Sequence, residues 1–528
     1  MNEFIRKHES NIVGVLNGWD RVRFRGTIRM LAAVPGLMAW LTDNQVRLTG
    51  FKQFGLDLTA RLKASVEQVA AATKFPIKYL ASSTLSKEDL VQMLLKHEEV
   101  SESGVFRVFS CVEPCRSFEI KSDRETKMID LVPAFRKCLH WYVYFVDAVF
   151  GLCHVRIQSW LPFTIHVCIN GRELLCRELA AAGIGFRRQD NCVTHVEDFE
   201  AAQNLLDAQP WADWTGALNG LLGRACPALR DLTFRGERLN HYWSADETEW
   251  ATDILFRSSK ALTDLYPSLL RHAMTTFSSC DVLRFLGRSR SPMTKGVHHN
   301  FVGEVTTDLK ARQEGVRIKH SVNRNSIKMY DKAYDVDVAA LRVETTMNDA
   351  RDMKVYRASE SDPTGPKSWR KLRKGVADLP RRAEICQAAN MRYLTALAAV
   401  DSQTPIGRLA DAMALPIQYD GRRVRGLSPL IGEDARLAQV LLHGEFTING
   451  FRNRDVRELL FPGTANPTEQ RRLSGKVTRL LRLFRAHGLI QKIKGTHRYQ
   501  LTSDGRRCLP AFSAARNASA EELNKMAV

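Results

Sequence analysis

The sequence predicts a multidomain α+β protein in which helical and strand-rich segments occupy separate stretches instead of alternating regularly. Three observations carry this expectation. The chain has 528 residues, enough for three or four domains at about 150 residues each. Its composition is 44% hydrophobic, 8% aromatic and 26% charged, so it can bury a core, and disorder as the dominant state is excluded. Runs of β-branched and aromatic residues gather in two blocks, 104–170 and 301–346, whereas the surrounding stretches carry helical spacing.

Taken in order, residues 1–103 read as a mainly helical N-terminal domain after a short strand-like opening. In that opening, Asn11 to Ile28 alternates and carries Asp20, Arg21, Arg23 and Arg25, read as solvated strand-edge charge. Helices are expected around Leu56 to Ala72 and from Ser86 to His97, the second with Glu88 and Asp89 in its first turn. Residues 104–200 read as a strand-rich α+β domain: GVFRVFSCV, RSFEI, HWYVYF, CHVRIQSW and FTIHVCI, then Asn170-Gly171 and a helix from Arg172 to Ala182. Residues 201–296 read as a helical segment, with Tyr242, Trp243 and Trp250 as its aromatic core beside Asp246, Glu247 and Glu249. Residues 297–358 form a basic strand-rich domain. In it GVRIKHSVNRNSIKMYDKA makes a hairpin around Asn323-Arg324-Asn325, and ALRVETTM adds a third strand. A basic linker and helices (359–428), a compact module (429–512) and a tail (513–528) complete the chain.

Charge is the first functional clue. The net charge is +19. Residues 1–283 hold 33 basic and 33 acidic side chains, and 284–528 hold 44 and 25, so the whole excess lies in the second part. That asymmetry points to a polyanion facing one part of the protein. DNA is the expected partner and RNA the alternative. A membrane is not expected: the most apolar stretch, Trp141 to Cys153, contains Asp147 and falls short of the ~20 residues a span requires. With no apolar run behind MNEFIRKHES and eleven cysteines read as reduced thiols, a cytoplasmic location is expected. A homo-oligomer is compatible with the sequence.

Several chemistries are excluded by missing motifs. There is no GxxxxGK[ST], no GxGxxG after a strand, no HExxH and no GxSxG. Cys111, Cys115, Cys138 and His140 have donor types that suit zinc. A buried free thiol is nevertheless the expected state of a cysteine in an apolar strand, and zinc is not expected here.

Two stretches resemble known families. In 429–512, helices read from Gly432 to His443, Phe451 to Leu460 and Thr468 to His487, the last closed by Gly488. LIQKIKGTHRYQL follows as two strands around Lys494-Gly495-Thr496. This order resembles the winged-helix family. The third helix carries Arg471, Arg472, Lys476, Arg479, Arg482 and Arg485, while Val477, Leu480, Leu481, Leu483 and Phe484 form a packing face. The hairpin adds Lys492, Lys494, His497 and Arg498. The resemblance implies that the third helix enters the major groove and the wing touches the backbone.

The second resemblance spans 317–349. Lys328-Met-Tyr330-Asp331-Lys332, followed by Leu341-Arg342-Val343-Glu344, resembles the Tyr-Lys and Arg-x-Glu strands of plasmid and phage rolling-circle replication initiators. It implies a nicking or strand-transfer protein with Tyr330 as nucleophile. Glu344, Asp331 and His320 would hold Mg²⁺ or Mn²⁺, and Lys328, Lys332 and Arg342 would stabilise phosphate charge. The alternative is a non-catalytic binding protein whose Arg317, Lys319, Arg324 and Lys328 grip phosphates. Convergence of Asp331 and Glu344 with His298, His299 or His320 near Tyr330 separates the two readings. That family also carries a His-hydrophobic-His pair. The nearest matches, Ile165-His166-Val167-Cys168 and His154-Val155-Arg156, lack the second histidine, so the usual metal site is not expected in the first strand block.

Overall fold

The computed structural model describes residues 2–519 apart from 74, 98–103, 124, 126–127, 288–303, 313–314, 336–337, 352, 360–361, 363, 399–405, 444–445, 447–449, 464–465 and 494–495. The chain opens with α1 (Glu3–Lys7) and a sixteen-residue strand, β1 (Ile12–Thr27). Helices α2 (Val34–Asp43) and α3 (Phe51–Ala71), strand β2 (Lys78–Leu80) and α4 (Lys87–His97) follow. The first strand block is β3 (Gly104–Ser122), β4 (Ile129–Asp147), β5 (Gly151–Gln158) and β6 (Ile165–Asn170). Asn170 ends β6 and caps α5 (Gly171–Ala181), its side chain accepting from the backbone N–H groups of Arg172 and Glu173. Next come the hairpin β7 (Phe186–Gln189) and β8 (Cys192–Val196), helices α6 (Phe199–Ala208) and α7 (Trp214–Ala225), and the short β9 (Thr233–Phe234) and β10 (Glu237–Arg238). Strand β11 (Tyr242–Phe256) precedes α8 (Ser259–Thr276) and α9 (Ser279–Phe285).

The second strand block is β12 (Val305–Arg312), β13 (Gly315–Val322), β14 (Asn325–Asp335) and β15 (Val338–Met347), followed by the hairpin β16 (Lys354–Arg357) and β17 (Ser368–Lys371). Helix α10 (Leu379–Leu397) leads to α11 (Ile406–Ala414), the hairpin β18 (Ile417–Tyr419) and β19 (Arg422–Val424), and α12 (Gly432–Leu441). Helices α13 (Asn453–Leu460) and α14 (Pro467–Ala486), strands β20 (Ile490–Lys492) and β21 (Tyr499–Leu501), and α15 (Ser503–Asn517) close the described chain.

The α+β class is as expected, but the chain gathers into two discontinuous units. One comprises Met1–Val15, Asp253–Thr345 and Gln387–Val528, the other Leu16–Thr252 and Thr346–Cys386. The opening strand and helices of 1–103 are therefore no domain of their own. The segment 201–296 is not uniformly helical either, because fifteen of its residues form β11. Its acidic residues Asp246, Glu247 and Glu249 are paired across strands, as described below.

In the Leu16–Thr252 unit the strand order is β11-β1-β6-β5-β4-β3-β2, antiparallel from β1 through β6, β5 and β4 to β3, with β2 parallel to β3. One face is apolar: Val22 and Phe24 of β1, Val155 and Ile157 of β5 and Ile165 and Val167 of β6 pack with Trp40 of α2, Leu58 and Leu62 of α3 and Trp214 and Leu218 of α7. In the other unit the order is β12-β13-β14-β15-β11. There, Ile318, Ile327, Met329, Leu341 and Val343 pack against Leu262 and Leu269 of α8 and Tyr393, Leu394 and Leu397 of α10. Residues from Leu409 to Phe512 form a further core in the same unit, built from α11 to α15 and the strands among them. No helix of the described residues is long and apolar enough to cross a membrane.

Candidate nucleic-acid interface

The C-terminal core fixes the orientation of α14. Leu473, Val477, Leu480, Leu481 and Phe484 are buried on one side, whereas Arg471, Arg479, Arg482 and Arg485 are exposed. At 100° per residue these four arginines fall on one arc of the helix. Asn466 caps the start, and Pro467 occupies the first turn, where its missing N–H costs nothing. At the end, Gly488 has φ +72°, its N–H bonds to the Arg485 carbonyl at 3.1 Å, and the Leu489 N–H bonds to that of Phe484 at 3.0 Å. This paired closure needs a left-handed residue, hence glycine.

Not all the basic residues of α14 are equivalent. Arg472 is paired with Glu469, and Lys476 with Glu433. Arg471, Arg479 and Arg482 make no hydrogen bond or ion pair to another described residue. Strands β20 and β21 form the hairpin after α14, and Phe451 bridges to Tyr499, adding a third strand position. Lys492 is exposed there, Arg498 donates to the Gly450 carbonyl at 3.0 Å, and Lys494 lies outside the described residues.

The hairpin at 315–335 forms with the expected partners and a two-residue turn, Asn323-Arg324. Asn323 has φ +52°, as a tight hairpin turn requires. The register then sorts the predicted residues. Arg317 faces Tyr330 and Lys319 faces Lys328, while His320 faces Ile327 on the opposite side of the sheet. Lys328 donates to Glu344 at 2.5 Å, and the Lys332 ammonium lies 6.0 Å from the Tyr330 ring centre. Arg342 makes a two-pronged pair with Asp253 at 2.5 and 2.9 Å, and Arg317 pairs with Asp308 at 2.9 Å.

Two parts of the expected metal set are corrected by this register. His320 is fully buried among the α8–α10 helices, hydrogen-bonded to Thr307 at 2.8 Å and to Tyr393 at 3.1 Å. Burial pushes it down to about 4 and keeps it neutral. Asp331 alternates to the face opposite Tyr330, and burial raises its pKa. Among the described residues Glu344, Asp331 and His320 do not gather into a ligand group, and His298 and His299 lie outside the described residues. Lys328, Lys332, Arg342 and Glu344 are buried, which removes them as surface phosphate contacts. Lys319 is half-buried, and Arg324 is exposed at the turn.

Sequence reasoning missed a polar sheet face in the Leu16–Thr252 unit. Arg25 of β1, His166 of β6, Arg156 of β5 and Tyr142 of β4 stand in one register row, and Arg23, Cys168, His154 and Tyr144 in the next. The three arginines of β1 meet the acidic residues of β11: Arg21 with Glu247 at 2.9 Å and Glu249 at 3.1 Å, Arg23 with Glu247 at 3.7 Å, and Arg25 with Asp246 at 2.6 Å. From Asp246 the row continues through His166 (3.6 Å) to Arg156 (2.9 Å). Arg156 reaches Glu113 at 2.7 Å, which also accepts from Tyr142 at 2.7 Å and Lys87 at 3.1 Å. Burial opposes ionisation of Glu113, but hydrogen bonds from Tyr142 and Arg156 outweigh it and hold the carboxyl at about 2. Trp243 and Trp250 are buried core aromatics, as expected, whereas Tyr242 is exposed. The detectable signal was the alternation Arg21-x-Arg23-x-Arg25 beside a three-carboxylate run elsewhere in the chain.

Comparison with protein-family models, with curated proteins and with solved structures returned no match to this chain.

Proposed function

We propose that this chain is a nucleic-acid-binding protein that grips duplex DNA through α14 and the β20–β21 hairpin. The observation that carries the reading is the exposed row Arg471, Arg479 and Arg482, unpaired with any other described residue on a helix whose far side is locked into a core. Guanidinium groups held on a rigid element without carboxylate partners are suited to phosphate, and they keep their full charge for it. Helix, strand position, helix, helix and hairpin also follow in the order of the winged-helix family that the sequence resembles. The binding alternative draws more support than nicking, because Glu344 is committed to Lys328, and His320 to Thr307 and Tyr393.

The test uses the full chain and labelled oligonucleotides at several salt concentrations. Tight, salt-sensitive binding to duplex DNA, stronger than to single-stranded DNA or an RNA hairpin, is expected. Salt-insensitive or absent duplex binding refutes the proposal. Supercoiled DNA incubated with the protein and Mg²⁺ or Mn²⁺ should stay intact; a covalent adduct lost in Tyr330→Phe would restore the nicking reading.

A further inference from the structure

The polar sheet face holds a second constellation, at the paired strands β3 and β4. Cys138 lies across from Glu113 and His140 across from Cys111, while Cys115 stands two positions beyond Glu113. Alternation puts all of these on one face. The sulfurs of Cys115 and Cys138 are 2.8 Å apart, and a ring nitrogen of His140 lies within 4.8 Å of both. Cys111 is not in the group; its sulfur turns to the Val112 carbonyl at 3.8 Å.

Two hydrogen-bonded thiols would account for the sulfurs but not for the imidazole. His140 is fully buried. Its Nδ1 is 3.1 Å from the Cys138 carbonyl, while Nε2 is buried with no hydrogen-bond partner among the described residues. Buried polar atoms without partners are uncommon and call for an explanation. A backbone carbonyl at Nδ1 fixes the tautomer that leaves the Nε2 lone pair free, the usual way a histidine ligand is oriented.

We infer that Cys115, Cys138 and His140 form a zinc site, with the two thiolates and Nε2 as ligands and the fourth position left to water. Thiolate and imidazole are the donors this borderline-soft ion selects, and three protein ligands leave an open coordination position. Binding releases two protons, one from each thiol, as Zn²⁺ takes their place. At Zn–S of about 2.3 Å and tetrahedral angles, the sulfurs would separate to about 3.8 Å.

The test titrates Zn²⁺ into the metal-stripped full-length chain against a chromophoric chelator, and repeats it with Cys111→Ser, Cys115→Ser and His140→Ala. One equivalent should bind to the wild type and to Cys111→Ser. Affinity should fall in the other two variants by more than the roughly 10–100-fold that loss of a supporting partner costs. Because Cys115→Ser or His140→Ala could unfold, Co²⁺ is added to the wild type as well, where a thiolate-to-cobalt charge-transfer band reports sulfur ligation directly. No stoichiometric metal, no such band, equal binding by all variants, or a Cys115–Cys138 disulfide in the freshly isolated, metal-free protein would each overturn the site.

Discussion

Replacing Arg471, Arg479 and Arg482 together with alanine tests the DNA-binding proposal quantitatively. These side chains are exposed and make no ion pair with described residues, so each counts as one whole phosphate contact. Each phosphate neutralised on duplex DNA contributes about 0.9 to the slope of log K against log salt. The triple variant should therefore lower the slope by about 2.7, and at ~0.15 M salt weaken binding by roughly 100- to 200-fold. Arg472 and Lys476 serve as internal controls. Their charges are already opposed by Glu469 and Glu433, so alanine at either position should change the slope less than any one of the three. Fluorescence anisotropy of a labelled duplex over a salt series reads both quantities. Because none of the three packs into the core, the unfolding free energy from urea denaturation should stay within about 0.5 kcal/mol of wild type. The reasoning fails if the triple variant keeps the wild-type slope, or if Arg472→Ala or Lys476→Ala lowers it more.

Three further outcomes concern stability. Asp253→Ala leaves the buried Arg342 guanidinium without its carboxylate; chemical denaturation should show a loss of about 3–5 kcal/mol, largely recovered in the double variant Asp253→Leu/Arg342→Met. Burial pushes His272 and His320 down to about 4 from the usual 6.5. The unfolded chain thus takes up these protons first, and each histidine contributes stability that is complete above pH 6.5, declines as pH falls from 6.5 to 4 and is gone below that. Each accounts for up to about 3 kcal/mol, so His320→Gln should flatten the stability profile across that window, and an unchanged profile would count against this assignment. Gly488→Ala puts a side chain where φ is +72° and should cost about 1 kcal/mol, seen as a lower thermal midpoint.

What could be read from the sequence was what is local. The 315–335 hairpin declared itself through two-residue alternation around an Asn-rich turn, and α14 through its apolar spacing and the glycine after it. Had the turn been fixed at two residues, the placement of His320 away from Lys328 would also have been legible, since a shift of one position moves every side chain to the other face. Strand β11 was missed because its aromatic and acidic residues read as part of a helical segment, with no partner in view for the carboxylates. Their partners come from far away in sequence: Asp246 is 221 residues from Arg25, and Asp253 is 89 from Arg342. The same remoteness hid the burial of Arg342, whereas Lys328 and Glu344 are only 16 residues apart and pair across adjacent strands. A charged side chain can be interior only when its counter-ion is there too, and one sequence does not say which distant residue that is.

The interleaving of the two units sets an order on biosynthesis. Asn2 and Lys7 leave the ribosome early, yet the carbonyls they donate to, Met391 and Ala398, emerge nearly four hundred residues later. The opening segment and the β12–β15 strands must wait, with only α8 and α9 to cover them, until α10 has been made, while Leu16–Thr252 lacks only 346–386 for completion. Long-range closure of this kind is slow and exposes sticky surface during synthesis. Nascent chains of this protein should therefore lean on holding chaperones until α10 has cleared the exit tunnel. Only after that does the arginine-bearing module, contiguous in sequence and translated later still, finish folding.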